Sequence, residues 1–128
     1  MKEKPVKQGV EKKFIVIDAA GKTVGRVASQ VAAILMGKKS PAYERNQIIP
    51  VSVTIINAAE AKFTGSKQLT KTYTHYSGYP GGLFHKKMRD VVAKDATTPM
   101  MNAISGMIPR NKLKKARLHQ LKIHAHGK

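Results

Sequence analysis

Phe14-Ile-Val-Ile-Asp-Ala-Ala-Gly-Lys-Thr-Val-Gly-Arg-Val-Ala-Ser-Gln-Val-Ala-Ala-Ile-Leu-Met-Gly37 contains the patterns of a strand, a turn and a helix in succession. The run Phe14–Ile17 is short, apolar and rich in β-branched residues, which predicts a strand buried on both faces. From Val24 to Leu35 apolar residues recur every three or four positions, as in an amphipathic helix. Thr23 is placed to cap this helix and Gly37 to end it. This order of elements predicts an α/β fold.

The rest of the chain predicts shorter elements on either side of a glycine-rich loop. Pro50 and the Ser40-Pro41 pair favour an exposed connector over residues 38–50, with Tyr43 as its only anchor. In chain order, the next predicted elements are a strand over Val51–Ile56, a strand or turn over Ala61–Thr64, an alternating segment over Lys71–Tyr76 and the loop Gly78–Gly82. Residues 84–94 are compatible with a helix, and Thr98-Pro99 opens a helix to about Ser105, with Met100, Met101 and Met107 in the core. Asn111 is predicted to cap a short basic helix, and a last strand is predicted over Leu121–His124.

The length of 128 residues fits one ordinary domain. Residues 1–12 are rich in lysine and almost free of apolar side chains, so we predict a basic flexible arm there and a single domain over residues 13–128. No segment is long and apolar enough for a membrane span or signal peptide, which predicts a cytoplasmic protein that does not enter membranes. Without cysteine there is no disulfide framework and no thiolate metal site.

The net charge is the strongest indication of a partner. There are 24 Lys and Arg against 7 Asp and Glu, a formal net charge of +17. So many like charges on a small body repel one another unless phosphates or other anions lie among them, which favours nucleic acid as the partner. An anionic membrane is the weaker alternative. A surface selected only for solubility would mix both signs and keep the net charge within roughly 2–8.

Two motifs suggest enzymatic or metal chemistry, and both fail on spacing. Gly21-Lys22-Thr23 resembles the end of a phosphate-binding loop, but Val16 stands where that motif requires its first glycine. The helix N-terminus after this turn can still meet a phosphate of RNA. The histidines at 119, 124 and 126 have no cysteine or carboxylate nearby, and the seven acidic residues are scattered. We therefore expect no catalytic site, no metal, no cofactor and no small-molecule substrate.

Aromatic side chains next to glycines favour contact with RNA. Tyr73, His75, Tyr76 and Tyr79 are interleaved with lysines and glycines between Lys67 and Gly82. Aromatic rings stack on unpaired bases, and glycines allow close approach to a sugar–phosphate backbone. The alternative is a packed loop in which the tyrosines only border the core. The basic cluster Lys112–Arg117 spreads charge around a short helix, which favours broad phosphate contact.

Four blocks of sequence resemble the successive motifs of the L13 family of large-subunit ribosomal proteins. They are Asp18-Ala-Ala-Gly-Lys-Thr-Val-Gly-Arg-Val-Ala-Ser29, Ile56-Asn-Ala58 with Thr64-Gly-Ser-Lys67, His75-Tyr-Ser-Gly-Tyr-Pro-Gly-Gly-Leu83 and Gly106-Met-Ile-Pro-Arg-Asn-Lys-Leu113. They occur in the family's order. Departures are Pro50-Val51, where members carry a Gly-Asp pair, and Lys114, where they carry glycine.

The resemblance implies a three-layer α/β/α fold around a mainly parallel four-stranded sheet. It further implies a structural protein without catalytic activity that binds large-subunit ribosomal RNA, contacts neighbouring large-subunit proteins and supports early assembly. Position by position it implies RNA contacts at Arg26, Lys67, His75–Gly82, Arg110 and Lys112, and close helix packing at Gly25.

With the charge pattern added, the predicted RNA-binding residues are Lys22, Arg26, Lys38, Lys39, Lys67, Lys71, Tyr73, His75, Tyr76, Gly78, Tyr79, Gly81, Gly82, Lys86, Lys87, Arg110, Lys112, Lys114, Lys115 and Arg117. Two other functions stay open from sequence alone. One is a regulatory nucleic-acid-binding protein that acts off the ribosome. The other is a nucleotide-using α/β enzyme, which the failed loop motif and scarce carboxylates disfavour.

Overall fold

The strand and helix predicted near the N-terminus are present in the computed structural model, which describes residues 12–127. Strand β1 spans Lys13–Asp18 and helix α1 spans Val24–Met36. Thr23 has extended backbone at the N-cap, and Gly37 ends the helix in the left-handed region with a φ of 81°. The predicted arm over residues 1–12 lies outside the described residues except for Lys12.

The remaining elements follow the predicted order closely. They are β2 (Val51–Ile56), a short 3-10 turn (Ala58–Glu60), α2 (Lys67–Thr70), β3 (Thr72–Tyr76), β4 (Leu83–Lys87), α3 (Met88–Lys94), α4 (Thr98–Met107), α5 (Leu113–His119) and β5 (Leu121–Ile123). The second strand, the helix from Thr98, the short basic helix and the last strand are thus confirmed. Lys112 rather than Asn111 is the N-cap residue of α5; Asn111 lies one position earlier and its side chain accepts a hydrogen bond from the Leu113 N–H at 3.1 Å.

The central sheet is parallel and has three strands among the described residues, in the order β1-β2-β5. A four-stranded sheet was expected, with residues 61–64 as a possible further strand. That segment instead makes a single parallel bridge, between Lys62 and Thr23. The bridge pairs Lys62 with the turn beyond β1 rather than with β1 itself, and Gly65 turns the chain away with a φ of 66°.

Strands β3 and β4 form a separate antiparallel ribbon in which Tyr73 lies opposite Lys86 and His75 opposite Phe84. Residues 84–94 were predicted to be compatible with a helix. This is correct only from Met88 onward, because residues 84–87 belong to β4. Aromatic and long side chains suit a helix or a strand equally well over so few residues, and pairing with β3 decides for the strand.

The hydrophobic core lies on one face of the sheet. Ile17, Val53 and Ile55 are buried there against α1 and α4, where Val31 and Ile104 are both fully buried. The other face does not fit the expectation of a strand buried on both sides, since Phe14 is 76% exposed and Val16 66% exposed. Among residues 12–127 helices therefore cover one face, and the three-layer arrangement is not confirmed.

Helix α4 presents fewer methionines to the core than predicted. Met100 is buried, but Met101 and Met107 are 37% and 42% exposed, so the prediction that all three belong to the core is wrong for two of them. Asp95 organises the start of this helix, accepting hydrogen bonds from the Thr97 N–H at 2.9 Å and from the Thr97 and Thr98 hydroxyls. These bonds, led by the Thr97 N–H, lower the pKa of Asp95.

Candidate nucleic-acid interface

The turn between β1 and α1 is braced by Asp18, at the end of the strand. One carboxylate oxygen of Asp18 accepts hydrogen bonds from the Ala20 N–H and from the Asn57 side-chain amide, each at 3.0 Å. The Ala20 bond and then the Asn57 bond lower the pKa of Asp18, which keeps the carboxylate charged. Gly21 takes a φ of 68° in this turn. The brace fixes the path of the chain into the first turn of α1.

A basic cleft lies at the N-terminus of α1. It consists of a cavity of about 230 Å³ lined by Arg26, Lys62 and Lys67 among others, and an adjoining cavity of about 420 Å³ lined by Lys22 and again Arg26. Arg26 therefore belongs to both parts. The structure brings together three of the predicted residues, Lys22, Arg26 and Lys67, from two distant segments of the chain.

The electrostatics of the basic cleft favour an anion. No carboxylate is among the residues that line it within the described part of the chain. The first turn of a helix also leaves N–H groups without intrahelical partners and carries the positive end of the helix dipole. Lys67 donates a hydrogen bond to the Thr64 hydroxyl at 3.2 Å, and both residues line the first cavity.

Sequence reasoning missed Lys62 as a member of the basic cleft. Its backbone bridge to the turn before α1 places it there, because the Lys62 N–H donates to the Lys22 carbonyl at 2.8 Å and the Val24 N–H donates to the Lys62 carbonyl at 3.1 Å. The only sequence feature that could have indicated this position of Lys62 was the possible strand over residues 61–64. Its partner could not be identified without the fold.

Gly25 has a different role from the one that the resemblance implied. Apart from its neighbours in α1, no described residue has an atom within 4 Å of the position that a Cβ would take at Gly25, so packing against this part of the chain does not require a glycine. Gly25 instead lines the cavity of the basic cleft beside Arg26. A residue without a side chain leaves the backbone of the first helical turn open to a ligand.

The β3–β4 ribbon carries most of the remaining predicted residues and is almost entirely exposed. One face presents Tyr73 and Lys86, with His75 and Phe84 next to them, and the other presents the Tyr76–Leu83 pair. The Lys71 ammonium lies 5.2 Å from the centre of the Tyr73 ring, within the range of a cation–π contact. Partial burial raises the pKa of Tyr73, so its hydroxyl remains protonated and can donate a hydrogen bond.

The loop of the ribbon is closed by two backbone hydrogen bonds, from Ser77 N–H to the Gly82 carbonyl and from Gly82 N–H to the Tyr79 carbonyl, each 3.0 Å long. Gly78 and Gly81 take φ values of 87° and 73°, which other residues adopt only with strain. Tyr79 is 75% exposed at the tip. The loop is therefore a defined turn that exposes an aromatic ring to solvent, and the alternative of a packed loop does not apply to Tyr79.

The family resemblance implies that Gly81→Val impairs incorporation into ribosomal particles more than it impairs folding. A β-branched residue at this φ strains the loop by about 1–2 kcal/mol, but the ribbon is remote from the buried core. Thermal unfolding and the fraction of protein in particles would be measured together. Equal losses in both would assign the loop a structural role.

The other predicted lysines lie around the connector and α5. Lys38 and Lys39 follow the C-terminal end of α1, away from the basic cleft at its other end, and both are exposed. Lys87 is exposed at the base of the ribbon, and Arg110, Lys112 and Lys115 are exposed at or near α5, whereas Lys114 is half-buried. The structure thus groups the predicted residues into the basic cleft, the ribbon, and the surface formed by the connector and α5.

Gly82 and Arg117 are the buried residues of the predicted set, and Arg117 is the one that carries a charge. It is only 3% exposed, and its guanidinium lies near the backbone carbonyls of Arg45 and Gln47 rather than at the surface. A buried side chain cannot reach a phosphate outside the folded domain. We therefore remove Arg117 from the proposed contact surface.

Neither a membrane span nor a metal cluster is found in residues 12–127. No helix there is both long and apolar enough to cross a bilayer. No group of three or more histidines, aspartates and glutamates in the same range is arranged to hold a metal ion.

The sequence matches the family model described as "Ribosomal protein L13" over residues 12–128. Similar proteins include three named large ribosomal subunit protein uL13. That of Solibacter usitatus is 41% identical over 126 residues, covering 98% of this chain and 88% of the relative. That of Borrelia duttonii is 40% identical, covering 91% of this chain and 78% of the relative.

The third relative, from Caldanaerobacter subterraneus, is 40% identical over 115 residues, which is 90% of this chain and 80% of the relative. The family match and these identities extend across β1, the basic cleft, the ribbon and α5. The chain therefore belongs to the L13 family of ribosomal proteins, whose members are structural components of the large ribosomal subunit and not enzymes.

Proposed function

We propose that this protein binds large-subunit ribosomal RNA through the basic cleft and the ribbon, and that it supports early assembly of the large subunit. The observation that carries the proposal is the convergence of Arg26 and Lys67 on one cavity at a helix N-terminus. Family membership supplies the setting, since the relatives are named as large-subunit proteins.

The mechanism is electrostatic and steric. Arginine and lysine in the basic cleft neutralise phosphates, while Tyr79 and the other exposed aromatics of the ribbon stack on unpaired bases. The connector and α5 add a third set of lysines. A body of +17 that touches several RNA segments at once lowers their mutual repulsion and lets them pack together. No covalent bond is made or broken.

The proposal places the protein in the ribosome, in the cytoplasm, with neighbouring large-subunit proteins as further partners. It includes a single domain over residues 13–128 and a basic flexible arm over residues 1–12 that gains order against RNA. The arm's lysines and its scarcity of apolar residues support this last point.

The test is sedimentation of a cell lysate through a gradient at moderate salt and again at high salt, with detection of this protein across the fractions. We expect it to migrate with the large subunits under both conditions. Early assembly predicts in addition that depletion of the protein causes lighter precursors of the large subunit to accumulate. Recovery only at the top of both gradients would favour the free-standing nucleic-acid binder.

A further inference from the structure

Arg117 is a buried cation that has no carboxylate partner among residues 12–127. Its side chain is 3% exposed at the end of α5, and the one ion pair found in residues 12–127 joins Arg89 to Asp90 instead. A guanidinium stays charged at any pH that a folded protein tolerates. Burial of such a charge carries a large desolvation cost, so its location calls for a specific role.

The guanidinium of Arg117 faces the backbone of the connector. Its Nη2 atom lies 3.5 Å from the carbonyl oxygens of both Arg45 and Gln47. Gln120, three positions further, donates from Nε2 to the Ile49 carbonyl at 3.1 Å. The Arg45 and Gln47 carbonyls lie in and just after a turn that the Gln47 N–H closes on the Glu44 carbonyl at 3.4 Å, and the Ile49 carbonyl follows it. Two side chains at the end of α5 thus hold residues 45–49.

The connector has few other attachments to the body of the protein. Ile49 packs against the core, and its side chain fills the space beside Gly37 that a Cβ there would occupy. Among the described residues, its backbone also forms local turns, from Ser40 to Gly37 and from Tyr43 to Ser40, and Pro50 at its end accepts a hydrogen bond from the Lys13 N–H of β1 at 3.2 Å. The predicted anchor Tyr43 is 38% exposed. Within the described residues, Arg117 and Gln120 therefore supply the side-chain hydrogen bonds that join residues 45–49 to the rest of the fold.

The arrangement is not optimised for stability alone. Both Arg117–carbonyl distances are at the long limit for a hydrogen bond. Arg117 Nε and Gln120 Oε1 are buried and have no hydrogen-bond partner among the described residues. Apolar side chains of similar volume often replace buried charges with no loss of stability. The benefit of an arginine here is the position that it gives to the connector.

We infer that Arg117 is a positioning residue that fixes the connector, residues 38–50, so that its exposed cations Lys38, Lys39 and Arg45 form a preorganised surface for RNA phosphates. Only its last step, the binding of RNA phosphates by these cations, rests on the proposed function. Lys38 and Lys39 lie at one end of the connector, and the ties from Arg117 and Gln120 hold the other. Binding by a fixed set of cations avoids the entropy cost of ordering a loose loop.

The first experiment is limited trypsin digestion of the purified full-length protein well below its melting temperature. We expect Arg117→Met to speed cleavage after Lys38, Lys39 and Arg45 by about tenfold, with cleavage in the β3–β4 ribbon unchanged. The control is Arg89→Met, which removes an exposed guanidinium from α3. Unchanged cleavage of the connector, or an equal increase at every site, would overturn the inference.

The second experiment is a double-mutant cycle with large-subunit ribosomal RNA extracted from the source cells as the probe. The variants are Arg117→Met, the pair Lys38→Ala and Lys39→Ala, and all three changes together. If Arg117 acts through the connector, the lysine pair loses most of its effect on affinity in the Arg117→Met background. Additive losses would overturn a positioning role.

Two further variants keep the inference testable if Arg117→Met does not fold. Arg117→Lys keeps the charge, but its ammonium is one atom closer to the backbone than Nη2 and so does not extend to the two carbonyls, and Gln120→Leu releases only the Ile49 carbonyl. Each is expected to speed connector cleavage about threefold, and no change in either would contradict the inference. If the wild-type protein does not bind the RNA, the proposed function fails, whereas the digestion still decides whether Arg117 holds the connector.

Discussion

Replacement of both Arg26 and Lys67 by alanine should weaken binding to large-subunit ribosomal RNA on the order of a hundredfold at moderate salt. The two side chains line one cavity, and each charge-assisted hydrogen bond contributes about 1.5 kcal/mol or more. Each lost phosphate contact also lowers the log–log salt slope by about 0.7–0.9, so the slope should fall by about 1.4–1.8. Filter binding over a series of salt concentrations measures both effects.

A matched control separates the basic cleft from the net charge. Arg89→Ala with Lys94→Ala also removes one arginine and one lysine, both exposed on α3 and outside the predicted interface. If the cleft is the contact, this variant keeps most of the affinity and the salt slope. If equal losses occur in the two double variants, the affinity comes from the overall charge and the assignment of the cleft is wrong.

Ile104→Ala should destabilise the folded protein by about 2–5 kcal/mol. Ile104 is fully buried in the middle of α4, in the core cluster that includes α1 and the sheet. Truncation of a buried isoleucine removes its transfer free energy and leaves a cavity that the fixed neighbours fill only partly. The total stability of a domain is about 5–15 kcal/mol, so a large part of it is lost. Urea denaturation followed by circular dichroism gives the change directly.

Met101→Ala is the internal control for that measurement. Met101 lies on the same helix but is 37% exposed, so its truncation should cost about 1 kcal/mol or less. Alanine has the highest helical propensity, so neither loss can come from a weaker helix. Similar losses for both variants would contradict the assignment of Ile104 to the core and of Met101 to its edge.

The sequence predicted the first strand and helix well because their patterns are local. The apolar run before Asp18 and the helical periodicity to Leu35 each lie within one segment, and the four family blocks predicted the family that the comparison confirms. The exposed face of β1 was not predictable, since an apolar run does not reveal whether a second layer covers it. Strand β4 was missed because its partner β3 lies across a loop.

The site was predictable residue by residue but not as an arrangement. Arg26 and Lys67 were both identified from their blocks, yet their shared cavity depends on the bridge between Lys62 and Thr23. Arg117 was predicted to contact RNA, but the structure buries it. A cation in a basic run is expected at the surface, and its burial became visible only once the carbonyls of the connector were placed against α5. Long-range contacts, which sequence periodicity does not encode, decide both cases.

The exposed β3–β4 ribbon has a consequence for how this chain can change over time. Its side chains, apart from the half-buried Tyr73, lie in the open, whereas the domain core is built by α1, α4 and one face of the sheet. A substitution in the ribbon therefore has little effect on whether the chain folds and a direct effect on what it binds. Selection on the ribbon then follows the partner, while selection on the core follows stability. Substitutions in the ribbon are then limited by binding, and substitutions in the core are limited by stability.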